Sequence, residues 1–278
     1  MKDNLILIVK GFILGIANII PGVSGGTLAI TLGIYEKLIS VISHFFHNLK
    51  DNFKFILFLG IGIIISLLVF SNLIGFCLDN YPFATTLFFI GIIFGGIPQL
   101  FIKIKGKRKP INYLVLLLSF LFVLGLPYLT GNNNVISLNN IDFFTAICLF
   151  LSGFIASISM MLPGISGSFV LVLLGYYEPI INTIRSLTKM ENILHDMIIL
   201  FFVGIGILLG IIVAAKIIEW LLNKYEVITY YGIIGFVFAS IISIFLGVTN
   251  NAVSLYEIIF GVFLFLIGLV LSKFIGEK

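Results

Sequence analysis

The chain has 278 residues, of which 60% are hydrophobic and 10% are charged. Its mean hydropathy is +1.23, whereas soluble globular proteins carry about 25% charged residues. The composition therefore excludes a water-soluble domain and indicates a polytopic membrane protein. The net charge of +4 is too small and too dispersed to indicate a nucleic-acid partner. The two cysteines fit neither a disulfide framework nor a metal site, and we expect no metal and no cofactor.

Six uninterrupted apolar stretches of about 20 residues predict membrane-spanning helices. In chain order they cover about 55–77, 83–102, 111–129, 197–222, 228–246 and 254–275. Two further apolar regions, 5–42 and 143–181, are each interrupted near the middle by proline and glycine. Because proline lacks an amide donor and glycine weakens a helix, each region is predicted to form two shorter helices joined by an irregular turn. Such a turn must be shielded by protein or face a water-filled cavity.

The lysines and arginines predict the orientation of the chain in the membrane. If each interrupted region is a hairpin that returns to its starting side, only Arg185 and Lys189 of the sixteen basic side chains lie outside. This strong positive-inside bias favours hairpins over single broken crossings and places both termini in the cytoplasm. Both re-entrant half-helices and fully spanning hairpins satisfy it. We expect Lys10, one turn into the first hairpin, to extend its side chain to the cytoplasmic surface.

An internal repeat relates the two halves of the chain. A shift of 142 positions gives 12 identities over the 26 positions from 11 to 36, including both proline-glycine breaks. We divide the chain into a first repeat, 1–130, and a second repeat, 143–278. Each contains one hairpin and three spans, an odd number of crossings, so the second repeat is predicted to be inverted in the membrane. The predicted fold is therefore an all-α membrane protein of two inverted repeats, an architecture in which transporters place the substrate between broken helices.

The two breaks, 21–27 and 163–168, are the best candidates for a binding site. Hydroxyl groups and glycines follow each proline-glycine turn and precede an apolar helix. Exposed amides, the positive end of the helix dipole and the hydroxyls would together favour an anion, with phosphate the best geometric fit. Helix capping by the same hydroxyls is the alternative interpretation. The candidate phosphate-binding residues are Pro21, Gly22, Ser24, Gly25, Gly26, Thr27, Pro163, Gly164, Ser166, Gly167 and Ser168.

Other polar residues are candidates for coupling, gating or headgroup capture. Glu36 and Glu178, beside Tyr35 and Tyr177, occupy equivalent positions in the repeats. They are interpreted either as helix-end carboxylates with interfacial tyrosines or as proton-coupling or gating residues. Lys10 and Arg185 are candidates for attracting a phosphate headgroup. The basic cluster at 103–109 is interpreted as a topology determinant that could also gather anionic lipids, and Lys216 with Glu219 as a surface pair.

The duplicated break and the Gly-x-Tyr-Glu sequence that follows each copy resemble those of the PopT-type polyprenyl-phosphate transporters. The resemblance covers essentially the whole chain. The residues that carry it are PGVSGGT at 21–27, PGISGS at 163–168, and the sequences Gly33-Ile34-Tyr35-Glu36 and Gly175-Tyr176-Tyr177-Glu178. The resemblance implies a flippase in the bacterial cytoplasmic membrane that returns undecaprenyl phosphate from the outer to the cytoplasmic leaflet for synthesis of envelope glycans. It implies undecaprenyl phosphate and membrane lipids as partners and defines no oligomeric state.

Two other functions compete with lipid transport. The phosphatases of the BacA type also carry Pro-Gly-x-Ser breaks, but an arginine follows in those enzymes, where Gly25 and Gly167 stand here. No histidine or cysteine nucleophile with a partnered base lies near either break, so an enzyme is not expected. A channel or transporter for a small anion would use the same opposed helix ends. The residues alone do not separate it from a lipid transporter.

Overall fold

The computed structural model describes residues 2–19, 24–106, 108–129, 136, 138, 141–190, 192–248 and 253–276. All regular structure in these residues is helical. The helices are α1 Lys2–Ile19, α2 Gly25–Thr31, α3 Tyr35–Ser43, α4 Leu49–Asn80, α5 Pro82–Lys103, α6 Pro110–Gly125, α7 Phe143–Met161, α8 Gly167–Leu173, α9 Tyr177–Lys189, α10 Ile193–Lys224, α11 Glu226–Val248 and α12 Leu255–Gly276, with a 3-10 turn at Leu126–Leu129 after α6.

The six predicted spans are confirmed as α4, α5, α6, α10, α11 and α12. Among the described residues α7 is a seventh helix long and apolar enough to cross a membrane, so the protein is a multi-pass membrane protein. α4 and α10 contain 32 residues each, about 48 Å of helix. They extend beyond the predicted spans because their polar ends remain helical. Pro82 and Pro110 begin α5 and α6, positions where the missing amide costs no helical hydrogen bond.

The interrupted regions differ from the prediction, because each contains three helices where two were expected. α2 and α3 meet at a bend of 117°, and α8 and α9 at a bend of 109°. Gly33 and Gly175 make these bends at φ of 65° and 77°, a left-handed conformation that glycine adopts without steric cost. The sequence did not predict this second break, because the leucine-rich stretch after each proline-glycine break has the composition of a continuous helix. Bends of more than a right angle prevent either pair from forming a straight span.

The two repeats pack their helices through equivalent contacts. α1 lies against α4 in the first repeat, and α7 lies against α10 in the second. A Cβ atom at Gly62 would lie 2.1 Å from the carbonyl oxygen of Ile8, and one at Gly206 would lie 2.1 Å from the equivalent oxygen of Phe150. Close packing through glycine is the usual way for helices to associate in a membrane, where lipid supplies no hydrophobic drive. The duplication therefore extends from sequence to tertiary contacts.

The repeats also interleave. α5 of the first repeat packs against α12 of the second, and α11 of the second packs against α6 of the first. The largest buried cluster draws on both repeats, with Leu28, Phe89 and Ile93 packed with Ile218 and Ile234. The predicted division at 130–143 therefore separates two units of sequence whose helices share one core, and as a division into domains it stays a prediction.

The two bent pairs lie towards opposite ends of α10. His44, directly after α3, makes a 3.2 Å contact with Glu219 near the C-terminal end of α10. Ile180 of α9 clusters instead with Ile199 and Val203 near its N-terminal end. Residues 199 and 219 are separated by about 30 Å of helix. The inverted arrangement of the repeats in the membrane remains a prediction, and this separation is the geometry that it requires.

We predict that Gly62→Ala and Gly206→Ala each destabilise the protein by about 1–3 kcal/mol, because the added methyl overlaps a carbonyl oxygen of the facing helix. Gly60 and Gly204 are the matched controls, since no atom lies within 4 Å of a Cβ at either position. Unfolding of the purified protein in mixed micelles with increasing denaturing detergent measures the effect. Equal gains at all four positions would show that helix propensity, which favours alanine over glycine, and not interhelical contact governs these glycines.

Candidate functional site

The described parts of the two breaks lie in contact with each other. The amide of Gly164 donates a 2.7 Å hydrogen bond to the hydroxyl oxygen of Thr27. A Cβ atom at Gly26 would lie 3.4 Å from the backbone of Pro163. The Tyr35 hydroxyl donates to the carbonyl of Met161, two residues before the second break, at 2.9 Å. Residues between 126 and 137 positions apart in sequence therefore form one site. Pro21 and Gly22 lie outside the described residues.

Glycine is required at two positions of the second break for different reasons. Gly164 has a φ of 85°, and a Cβ there would approach the carbonyl oxygen of Phe236 to 2.5 Å. Gly167 has ordinary backbone angles, but its Cβ would lie 2.8 Å from the carbonyl oxygen of Ala156. Both contacts are with backbone atoms, which cannot move aside as a flexible side chain does. The glycines therefore bring the second break close to α11 and α7.

The serines of the breaks do not cap the helices that follow them. Ser24 and Ser166 occupy the N-cap positions of α2 and α8, yet neither side chain accepts a hydrogen bond from its helix. Ser166 instead contacts the hydroxyl of Ser168 at 2.8 Å. Ser24 is 2% exposed and its hydroxyl has no partner among the described residues. Because a buried hydroxyl without a partner is costly, Ser24 is the polar group of the site with the most to gain from a ligand.

The helices that follow the breaks are too short to have a long macrodipole. α2 and α8 contain seven residues each, two turns of helix, so the charge at their ends comes from local amides and not from a long macrodipole. The first-turn amides of any helix lack intrahelical acceptors, and this holds for a two-turn helix as well. The described residues of both breaks carry no charged side chain. The site therefore offers neutral hydrogen-bond donors, which are buried at Ser24 and Thr27, half-buried at Ser166 and exposed at Ser168.

Lys10 does not reach the membrane surface, and the expectation that it extends to the cytoplasm is wrong. The residue is 6% exposed, and its ammonium group donates a 2.7 Å hydrogen bond to the carbonyl of Leu32. Leu32 directly follows α2, where carbonyl oxygens lack intrahelical partners and a cation is favourable. Lys10 therefore stabilises the bend between α2 and α3. Its interpretation as a headgroup-attracting residue stays a prediction.

A cluster around Glu36 joins α3 to two other helices, and we call it the lock. It consists of Glu36, Lys103 and Tyr230. The ammonium group of Lys103 lies 2.7 Å from the Glu36 carboxylate, and the Tyr230 hydroxyl donates to the same oxygen. Lys103 also lies 5.5 Å from the centre of the Tyr230 ring. The sequence predicted for Lys103 a role in topology or in gathering anionic lipids, and it did not single out Tyr230, although a phenol inside an apolar span is a signal of a polar partner.

The lock borders a cavity of about 420 Å³ between α3, α10 and α11. Its walls include three carboxylates, those of Glu36, Glu219 and Glu226. Glu219 contacts His44 at 3.2 Å across this end of the molecule, so its partner is not the Lys216 expected from sequence. An anion would meet both a closed passage and negative side chains here. We call this end of the protein, from α3 to the C-terminal ends of α5 and α10, the lock face.

The equivalent residues of the second repeat are more exposed. Leu32 and Tyr35 are 1% and 5% exposed, whereas Leu174 is 37% exposed. Tyr177, the counterpart of Tyr35, is also 37% exposed. Glu178 is exposed, as is Arg185 further along α9. The bent pair of the first repeat is therefore more deeply buried at these positions than that of the second.

Comparisons with known proteins agree on one family. Residues 14–258 match the sequence model of a family described as undecaprenyl phosphate translocase-like. A polyprenyl-phosphate transporter of Staphylococcus aureus is 33% identical over 275 residues, which cover 97% of this chain and 95% of that protein. A polyprenyl-phosphate transporter of Vibrio cholerae is 30% identical over 234 residues, covering 79% of this chain and 70% of that protein. No solved structure matches the chain.

We predict that Thr27→Val destabilises the protein by about 1–3 kcal/mol, because it leaves the amide of Gly164 without an acceptor at the contact between the breaks. Thr27→Ser keeps the acceptor and is expected to retain most of the stability. Thr183→Val is the control, since that buried hydroxyl bonds only to the Pro179 carbonyl of its own helix. The measurement is the unfolding midpoint in detergent. Equal effects of Thr27→Val and Thr183→Val would contradict a bond between the breaks.

Proposed function

The chain belongs to the undecaprenyl phosphate translocase-like family, and we propose that it carries a polyprenyl phosphate across the bacterial cytoplasmic membrane. The cargo is undecaprenyl phosphate, moved from the outer to the cytoplasmic leaflet, where it re-enters synthesis of envelope glycans. In this proposal the protein moves the lipid without a chemical step. The observation that supports the proposal is the contact between the two breaks in a multi-pass membrane protein, where the hydroxyls of Ser24 and Thr27 are buried.

The phosphate is held at the contact between the breaks. Charge is expensive in hydrocarbon, so a phosphate crosses only where donors replace its water. The donors are the unpartnered hydroxyl of Ser24, the hydroxyls of Thr27, Ser166 and Ser168, and the first-turn amides of α2 and α8. At present the Gly164 amide donates to Thr27 and the two serines of the second break contact each other. A phosphate oxygen takes over these donors, so binding exchanges internal bonds for bonds to the cargo.

The candidate residues retain their roles in this proposal. Gly25, Gly26 and Gly167 let a phosphate oxygen approach the backbone, and the prolines and glycines at 21–22 and 163–164 make the turns. A site without a fixed cation binds an anion less tightly than an arginine site does, which suits a carrier that must also release its cargo. The polyprenyl tail stays in the surrounding lipid while the headgroup moves through the protein.

The exposure of the two bent pairs supports transport towards the cytoplasm. The positive-inside bias assigns the lock face to the cytoplasm, and that face is the closed one. The exposed Arg185 then lies on the outer side, where it attracts the headgroup. Tyr35 and Tyr177 act as gates on the two sides, with Glu36 and Glu178 beside them. In this proposal the carrier rests with its second bent pair exposed to cargo from the outer leaflet.

The test is to follow undecaprenyl phosphate in vesicles that contain the purified full-length protein, using a membrane-impermeant phosphatase to count accessible headgroups. Wild type is expected to equilibrate the lipid between leaflets, and Ser24→Ala with Ser166→Ala to slow equilibration about tenfold or more, because two hydrogen bonds to a charged group are lost. Ser119→Ala with Ser152→Ala is the control, since those hydroxyls bond carbonyls of their own helices.

Two results would overturn the proposal. If the control pair slows the lipid as much as the break pair, the break hydroxyls are not the site. If wild type moves no lipid but passes phosphate or chloride, the protein is a small-anion transporter built on the same opposed breaks.

A further inference from the structure

Glu36 has a counterpart in the second repeat, but no counterpart of the lock occurs among the residues of that repeat that the structure describes. A shift of 142 positions places Glu178 on Glu36, and the shift of 144 that relates the later helices places Gly247 on Lys103 and Thr86 on Tyr230. Neither glycine nor threonine supplies a cation or a phenol. The repeat therefore places neither a lysine nor a tyrosine at the positions that would meet Glu178 if the repeats exchanged their conformations.

The tyrosine contact behaves differently. Tyr35 donates to a backbone carbonyl, that of Met161, and the repeat relates Tyr177 to a carbonyl at position 19 in the same way. A backbone acceptor does not depend on the side chain at that position. Each repeat can therefore form the tyrosine–carbonyl hydrogen bond when its bent pair closes. Only the first repeat can also form the ion pair with its glutamate.

We propose that Lys103, together with Tyr230, sets the resting conformation of the carrier by holding the lock face closed. Lys103 acts through Glu36 and touches no cargo, so it is a positioning residue. The inference uses the direction and the alternating conformations of the proposed function, but its evidence is the asymmetry between the repeats.

The expected strength of the lock follows from its exposure. The side chains of Lys103 and Glu36 are 42% and 53% exposed, and ion pairs of this kind are weak. The phenol and the cation over its ring add to the pair. Together these contacts shift the ratio of the two conformations by roughly three- to tenfold. A bias of that size favours one state at rest and still lets cargo reverse it.

Cysteine labelling at two equivalent positions reports the conformation and does not require a transport assay. Leu32 is 1% exposed and Leu174 is 37% exposed, and they are partners in the repeat. With Cys77 and Cys148 replaced by serine, Leu32→Cys and Leu174→Cys are placed in separate full-length proteins in nanodiscs, where both faces meet solvent. The rate of maleimide labelling is then measured at each reporter.

Lys103→Gln is expected to raise labelling at position 32 about threefold or more and to lower it at 174. Lys105→Gln removes the same charge two residues away and is expected to change neither rate. The exchange of charges in Glu36→Lys with Lys103→Glu restores the pair and is expected to restore protection at 32. A purely structural role for Lys103 would loosen both reporters together.

Gly247→Lys tests the asymmetry by gain of function. No atom of the described residues lies within 4 Å of a Cβ at Gly247, and the residue is exposed, so we expect a long side chain to fit the present conformation. It offers Glu178 a cation in the opposite conformation, and we expect labelling to fall at 174 and rise at 32. Gly247→Gln, which adds a neutral side chain of similar reach, is expected to leave both rates unchanged.

Three outcomes would overturn the inference. They are equal effects of Lys103→Gln and Lys105→Gln, no recovery on charge exchange, and equal effects of Gly247→Lys and Gly247→Gln. A wild-type protein that moves no polyprenyl phosphate would overturn the proposed function instead, and would leave these labelling rates unaffected.

Discussion

The structure depends on one constraint, that backbone polar groups in a membrane must find partners within the protein. Two breaks in otherwise apolar regions create amides and carbonyls that a straight helix would satisfy by itself. The chain satisfies some of them by placing the breaks against each other, so that the Gly164 amide donates to Thr27. Others receive side chains from elsewhere, as the Leu32 carbonyl receives Lys10.

This arrangement gives the site its chemistry. Groups that must be shielded from lipid are also the groups that can replace the water around a phosphate. The break hydroxyls do not cap their helices, which keeps them available, and Ser24 remains without a partner in the described part of the chain. The same constraint that forces the breaks together therefore produces a polar, uncharged interior at the junction of the repeats.

The duplication explains how such a site can be reached from two sides. Equivalent glycines set the same helix contacts within each repeat, while the bent pairs adopt different degrees of burial. A two-state carrier can use this arrangement. Its two repeats move as rigid units, and only the contacts between the repeats change. In the proposed carrier, departures from the repeat, such as the glycine at 247 where the first repeat has Lys103, decide which junction is preferred.

Much of the fold could be predicted from the sequence because a long apolar run has few alternatives in a membrane. The six spans, the two breaks and their duplication all followed from local composition. The second bend at Gly33 and Gly175 did not, because a glycine inside a leucine-rich stretch does not show its φ angle. Nor did the lock, since Lys103 meets Glu36 across 67 residues of sequence. The sequence by itself determined which segments are helical and which residues are polar in an apolar setting. Only the tertiary structure decided which of those polar groups meet, because contacts between distant helices depend on packing and not on local pattern.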